Sequence, residues 1–365
     1  MKVLIASGGS GGHIFPAVAL AREVKKDNTE IIFVASRRRL DNELLKNEPC
    51  RKIFLSANPM PYAPGPRSIV FLLKLLLDSI RAVYILLKTK PDIVVGFGGY
   101  TSGAITLLAA RMGIKTVIHE QNMVPGRTNK LLDRIVDAVA VSFQETAGYL
   151  RNKNVVFTGN PLRMESLVEC REEALQKFAF SREKLTILIM GGSQGASSLN
   201  RLIADAIAGL PDRIKQKIQL LHITGAADCR KYDDFYRERG MKARVFAFIA
   251  SINEAYSACD VAISRAGAAA IFELAAFAKP MILVPYPNLK NNQHRNAVFF
   301  AEKNAAVCVN EREITAEKFA GLFAELVENP ARRGELARNA KKLSVTDGAR
   351  RLKEEIVKTL NSCLP

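Results

Sequence analysis

Twice along this chain a short apolar run ends in a glycine cluster and opens a helix-like pattern. Val3–Ala6 leads into Gly8-Gly9-Ser10-Gly11-Gly12, and Leu185–Met190 into Gly191-Gly192-Ser193-Gln194-Gly195. A strand that feeds a helix through glycine is the start of a βαβ unit, so this repeat demands parallel sheets. The rhythm continues around each copy. Ile31–Val34, Ile93–Val95, Thr116–His119 and Ala138–Val141 predict further strands of a first domain, and Gln219–Ile223, Arg244–Phe248, Val261–Ser264 and Met281–Val284 those of a second. A length of 365 residues suits two domains at ~100–200 residues each. The fold class expected is α/β, with two Rossmann-like, doubly wound domains. Pro161 disfavours helix at Asn160 and puts the hinge in Gly159-Asn160-Pro161-Leu162-Arg163. The domains are then 1–160 and 161–343, with a basic tail, 344–365, whose amphipathic part Ser344–Leu360 is a candidate to return to the first domain.

The charge is +17, with 22 Lys and Arg against 12 Asp and Glu in residues 1–160 and 31 against 24 in the rest. Such a surface suits phosphorylated substrates, an anionic membrane or nucleic acid. The last is not expected, because the chain has no Trp, no zinc-finger or RRM-type signature and no basic run interleaved with aromatics. Six Cys at 50, 170, 229, 259, 308 and 363 show no CxxC spacing and are accompanied by four His, so neither zinc nor disulfides are indicated and a reducing, cytosolic setting is expected. The apolar run before the first glycine cluster is too short for a signal peptide.

Glycine loops between strand and helix bring backbone N–H groups and the positive end of the helix dipole to an anion. Two loops imply two anionic groups. Neither fits G-x-G-x-x-G, since Ile14 stands at the third glycine position of the first and Gln194 at the second of the other, and the P-loop Lys-Ser/Thr is absent. Diphosphates remain the natural guests. His13 closes the first loop, and a histidine side chain suits the work of a general base. His119-Glu120-Gln121-Asn122 ends a strand with four polar side chains, and Gly96-Phe97-Gly98-Gly99-Tyr100 is a third glycine turn on the same edge. In the second domain Arg265-Ala266-Gly267-Ala268-Ala269-Ala270-Ile271-Phe272-Glu273 opens a helix through small residues, with Glu273 suited to ribose hydroxyls; Asn292-Gln293 adds uncharged amides for a sugar. No Asp-x-Asp is present to hold a metal–diphosphate complex, so no metal or other cofactor is expected, and helix N-termini with Arg take that role.

The ordered set GGSGGHIFPAVALA, GFGGY, HEQN, GNPLR, MGGSQGA, SRAGAAAIFEL and NNQHRNA covers nearly the whole chain. It resembles the bacterial MurG family, the UDP-N-acetylglucosamine:lipid I N-acetylglucosaminyltransferases of the GT-B class. The resemblance implies two Rossmann-like domains with a cleft between them, and transfer of N-acetylglucosamine with inversion to the 4-hydroxyl of an undecaprenyl-diphospho-N-acetylmuramoyl pentapeptide. It implies that Ser10, Gly11, Gly12 and His13 line the acceptor side together with Tyr100, and that Asn122 bonds the transferred sugar beside Glu120. Arg163, Ser193 and Gln194 would meet the donor diphosphate, joined by Arg265. Ile249 would present backbone to uracil, the stretch Ala268 and Ala269 to Glu273 would hold the nucleoside, and Asn292 and Gln293 the sugar, where the family usually shows two Gln or His-Gln. His13 is the first choice for the base and Glu120 the reserve.

A nucleotide-sugar epimerase of the same fold and an NADP oxidoreductase, suggested by Arg37-Arg38-Arg39 after the second strand, are the alternatives; the defective glycine fingerprint argues against the latter. The stretch Ser68–Lys90 favours a lipid-linked acceptor. It is the most apolar of the chain, yet Lys74, Asp78, Arg81 and Lys88 interrupt it, so it falls short of the ~20 residues of a span. Arg67, Lys74, Arg81 and Lys88 recur every seven residues and form one basic stripe on a helix. With Met60-Pro61-Tyr62-Ala63-Pro64 before it, this helix is expected to lie on the cytoplasmic face of the bacterial plasma membrane as a peripheral attachment.

Overall fold

The computed structural model describes residues 1–56, 66–163, 170–192, 195–249, 251–288 and 292–362, with the side chains of 40, 66–73 and 75 left out. The chain forms two compact units, Met1–Arg163 with Val345–Pro365, and Met164–Ser344. In unit 1, β1 (Lys2–Ala6), α1 (Gly11–Lys25), β2 (Glu30–Ser36), α2 (Arg39–Leu45), β3 (Arg51–Leu55), α3 (Pro66–Thr89), β4 (Ile93–Gly96), α4 (Gly99–Arg111), β5 (Lys115–Glu120), α5 (Arg127–Leu132), β6 (Ala138–Val141) and β7 (Val155–Phe157) follow one another. All strands are parallel, in the order β3-β2-β1-β4-β5-β6-β7.

The strands read as continuous apolar runs because both sheet faces are covered. Val3, Ile5, Phe33 and Val95 point into one layer with Ile14 and Val18 of α1. Leu4, Val34 and Val94 point into the other with Ala82 and Leu86 of α3 and Ile105 of α4. Each fully buried aliphatic side chain contributes ~1.5–3 kcal/mol. Two edge strands, β3 and β7, carry no such run: RKIFL and VVF are only half-buried, so their pattern is diluted by charge and brevity.

Unit 2 runs through α6 (Arg171–Lys177), β8 (Leu185–Met190), α7 (Ser197–Ala208), α8 (Asp212–Lys215), β9 (Ile218–Ile223), α9 (Cys229–Glu238), β10 (Ala243–Phe246), α10 (Ile252–Ala258), β11 (Val261–Ser264), α11 (Ala268–Ala276), β12 (Met281–Leu283), α12 (Gln293–Glu302), β13 (Val307–Cys308), α13 (Ala316–Glu328) and α14 (Pro330–Leu343). Its parallel sheet has the order β10-β9-β8-β11-β12-β13. The edge strand β10 stops at Phe246, and Phe248, read as its last residue, is exposed instead. In both sheets the order reverses beside the first strand, between β1 and β4 and between β8 and β11, where α/β proteins bind ligands.

Unit 1 extends to Arg163 because Leu162 is buried and the Arg163 guanidinium stacks on Phe15 of α1, 3.8 Å from the ring centre. It is completed by α15 (Gly348–Asn361), whose Leu352 and Ile356 enter the α1 layer and whose Lys353 pairs with Asp27 at 2.6 Å. The chain re-enters through a tight contact. Gly159 has φ +75°, and a Cβ there would lie 2.4 Å from Val345 Cβ. Gly159→Ala should therefore destabilise unit 1 by about 2–4 kcal/mol, combining left-handed strain with overpacking. Thermal denaturation followed by circular dichroism checks this; an unchanged midpoint would show that Val345 yields freely.

Candidate active site

In unit 1 three loops meet at the β1/β4 switch point. Asp41 of α2 is fully buried and accepts from Gly9 N at 3.1 Å, from Ser36 N at 3.1 Å and from Ser36 Oγ. This carboxylate ties the first glycine loop to the end of β2. Gly8 has no room for a side chain, since a Cβ would meet Thr101 Oγ1 at 2.7 Å. Ser10 then caps α1 through its extended backbone without using its hydroxyl, and Gly11 and Gly12 form the first turn. No acidic residue sits in that turn, so the positive helix end stays available to an anion. Gly98 and Gly99, with φ +82° and +77°, lie against the His13 ring, and a Cβ on Gly99 would strike Gly8 O at 2.7 Å. Tyr100 follows at the start of α4, exposed.

His13 is half-buried, and its Nδ1 lies 2.9 Å from Gln121 Oε1. Gln121 Nε2 in turn reaches Phe97 O, His119 O and His119 Nδ1, each at 3.1 Å, and His119 Nε2 lies 3.1 Å from Gly159 O. His119 and Gln121 are buried. Burial pulls the His119 pKa down to about 4, so its ring is neutral at neutral pH. Gln121 is the functional candidate that sequence reading passed over as one of four polar residues; its place directly after a strand was the available signal.

Glu120, the reserve base of the sequence reading, is engaged on both oxygens. It is 2% exposed; Oε1 accepts from Asn122 N at 2.9 Å and Asn122 Nδ2 at 3.1 Å, and Oε2 from Gly126 N at 2.9 Å and Asn129 Nδ2 at 2.8 Å. A carboxylate engaged by four donors holds the 120–126 loop and orients Asn122.

In unit 2 the second glycine loop and the start of α7 border a cavity of about 400 Å³ lined by Gly191, Gly195, Ala196, Ser197, Ser198, Arg265, Tyr286 and Gln293. Ser193 and Gln194 lie outside the described residues. Gly195, at φ +76°, admits no Cβ, which would fall 2.3 Å from Thr224 O. Arg265 lines this cavity, but its charge is matched internally. Nη1 pairs with Glu311 at 2.6 Å and donates to Val284 O and Pro285 O, and Nη2 donates to Ser198 Oγ at 3.0 Å. It braces the loops after β8 and β12 from the border of the cavity.

Glu273 of α11 is nearly buried and accepts from Tyr256 Oη at 2.8 Å, a partner that sequence gave no means of finding. Ala268 and Ala269 form the buried first turn of the same helix. Gln293 Oε1 accepts from Tyr286 N at 3.0 Å, while Asn292 is the N-cap of α12. Asn296, fully buried, donates to Ala266 O and fixes the turn into α11. Ile249 is half-buried beyond β10.

Comparison with known proteins agrees with this geometry. Residues 3–141 match the glycosyltransferase family 28 N-terminal domain and residues 186–352 its C-terminal domain. A UDP-N-acetylglucosamine–N-acetylmuramyl-(pentapeptide) pyrophosphoryl-undecaprenol N-acetylglucosamine transferase of Desulfotalea psychrophila is 35% identical over 95% of this chain and 94% of its own. The transferase of that name from Thermoanaerobacter sp. is 36% identical over 99% and 100%. The crystal structure of Acinetobacter baumannii MurG superposes with a TM-score of 0.77 at 28% identity, covering 98% of this chain and 99% of that one. Two doubly wound units with glycine loops at their switch points, matching the two family 28 domains, define a glycosyltransferase of the GT-B class. The chain belongs to the MurG family within glycosyltransferase family 28.

A pH dependence of stability follows from the buried histidines. His119 near 4 and His222 of β9, pulled down by burial to about 3, both lie below the ~6.5 of an unfolded chain. The unfolded chain therefore takes up protons that the folded protein excludes. Stability is undiminished above pH ~6.5 and falls as pH drops toward ~4, by about 3 kcal/mol for His119 alone. Urea midpoints across this window check it; a flat midpoint would contradict neutral burial.

Proposed function

We propose that this chain transfers N-acetylglucosamine from UDP-N-acetylglucosamine to the 4-hydroxyl of an undecaprenyl-diphosphate-linked N-acetylmuramoyl pentapeptide, lipid I, with inversion at the anomeric carbon. The observation that carries the reading is the 35–36% identity, over nearly the full length of both chains, to transferases named for this reaction. In unit 2 the N–H groups at the start of α7 receive the donor diphosphate, joined by Ser193 and Gln194 of the same loop. Glu273, steadied by Tyr256, accepts the ribose hydroxyls, with Ala268 and Ala269 beneath the nucleoside. Ile249 presents backbone to uracil, and Gln293, which borders the cavity, meets the sugar ahead of Asn292.

In unit 1 the Ser10–Gly12 loop holds the acceptor diphosphate and Asn122 the transferred sugar. His13 Nε2 meets no hydrogen-bonding partner among the described residues and takes the proton of the 4-hydroxyl as that oxygen attacks C1. The C1–O bond to UDP breaks and its electron pair leaves with the diphosphate, whose charge the helix end stabilises. Formation of disaccharide from labelled UDP-N-acetylglucosamine and a lipid I analogue tests the whole reading. His13→Ala should lower turnover by ~10²–10⁴ and leave UDP affinity unchanged, whereas Glu273→Ala should weaken UDP binding by about tenfold or more. Near-normal turnover of the first variant would remove His13 from the mechanism.

Peripheral attachment to the cytoplasmic leaflet belongs to the same proposal. No helix among the described residues is long and apolar enough to cross a membrane. The support comes from α3, whose Ala82, Ile85 and Leu86 are buried while Leu76, Leu77, Ile80, Tyr84 and Leu87 are each 57–60% exposed. Lys74, Arg81 and Lys88 are exposed along one border of this apolar face. Residues 60–64 lie outside the described residues. An apolar strip edged by cations matches an anionic leaflet, where each basic residue contributes ~1 kcal/mol. The protein should sediment with anionic vesicles at low salt and be released at high salt. Lys74, Arg81 and Lys88 changed together to Glu should abolish sedimentation and spare UDP binding; sedimentation like the parent's would refute this role of the stripe.

A further inference from the structure

The hydrogen-bond chain behind His13 has a direction, and backbone carbonyls at its two fixed points set it. Gln121 Nε2 faces Phe97 O and His119 O, which only accept, so the amide cannot be reversed without placing oxygen against oxygen. Its Oε1 therefore faces His13 Nδ1, and the contact at 2.9 Å requires a hydrogen on that nitrogen. At the far end His119 Nε2 faces Gly159 O, which likewise demands N–H there and leaves Nδ1 as an acceptor toward Gln121 Nε2.

We propose that Gln121, locked by Phe97 O and His119, is a positioning residue that holds neutral His13 as its Nδ1–H tautomer and so presents the Nε2 lone pair to the acceptor hydroxyl. This rests on the reading of His13 as the base. An imidazole left to itself in water prefers the other tautomer, with hydrogen on Nε2, which has no lone pair where the proton must go. The relay keeps its sense because His119 stays neutral; a protonated His119 would turn a second N–H toward the Gln121 amide. After His13 takes a proton, the same Oε1 still accepts from Nδ1–H. Gly98 and Gly99 lie close to the ring, where an added Cβ would come within 3.4–3.6 Å of its atoms.

Histidine-labelled protein tests this directly, because the chain has four His and ¹⁵N shifts distinguish protonated from unprotonated ring nitrogens. In the unmodified enzyme at a pH where His13 is neutral, Nδ1 is expected to carry the hydrogen; a dominant Nε2–H form would overturn the proposal. Gln121→Met, similar in length and without an acceptor, should give mixed His13 tautomers and lower kcat by about one to two orders of magnitude, part of the ~10²–10⁴ of a positioned proton acceptor. UDP affinity and the thermal midpoint of unit 2 report on residues the substitution does not touch and should hold. A variant that keeps the Nδ1–H form and normal turnover would overturn the relay. A tautomer shift with unchanged turnover upholds the relay and refutes His13 as the base.

Discussion

A parallel sheet covered on both faces leaves its polar side chains one place to gather, the carboxyl ends of the strands, and everything functional in this chain follows from that constraint. The strand interiors are closed to polar groups, because an unpaired polar atom there costs roughly 1–3 kcal/mol. After β1, β4 and β5 the runs of buried apolar residues end at Ala6, Phe97 and Ile118, and Ser7, Gly98 and His119 follow at once. Glycine is what lets the three ends approach. Gly99 stands where any Cβ would collide with Gly8 O, so the loop after β4 presses directly on the loop after β1, and His13 is confined between them and Gln121.

Burial then gives polar residues here an unusual division of labour. His119, Glu120 and Gln121 are all at most 2% exposed, and each is satisfied by specific partners. Asp41 plays a similar part for the glycine loop, and Asn129 donates both to His119 O and to Glu120. A network of this kind defines one geometry, since each partner lost leaves a buried group unmatched. The half-exposed His13 and Asn122 are thus held by residues that face inward, and in the proposed reaction only the outer pair meets substrate.

Much of the fold was legible because buried strands announce themselves: Leu185–Met190 and Ala138–Val141 coincide with β8 and β6. The edge strands β3, β7 and β13 were not, because an edge needs no second covering layer and its sequence is free to carry Arg51 and Lys52 or to shrink to Val307–Cys308. For the site, glycine positions spoke clearly, since φ and close approach are properties of the residue itself. Pairings did not. Nothing in sequence shows that Glu311 matches Arg265, 46 residues away, or that Tyr256 meets Glu273, and those partners decide which charges face outward.

The Arg265–Glu311 pair carries this furthest. Both side chains are at least nine-tenths buried and 2.6 Å apart, so their fields largely cancel at the cavity they adjoin. A buried pair gains little net stability over an apolar substitute, but removing one partner strands the other. Its value here lies in geometry: Arg265 reaches Ser198 on α7 and the carbonyls of Val284 and Pro285 after β12, and so ties two ligand loops to the first turn after β11. In the proposed reaction the donor diphosphate meets the N–H groups at the start of α7, whose own first turn holds no acidic residue and whose N-cap Ala196 has no capping side chain.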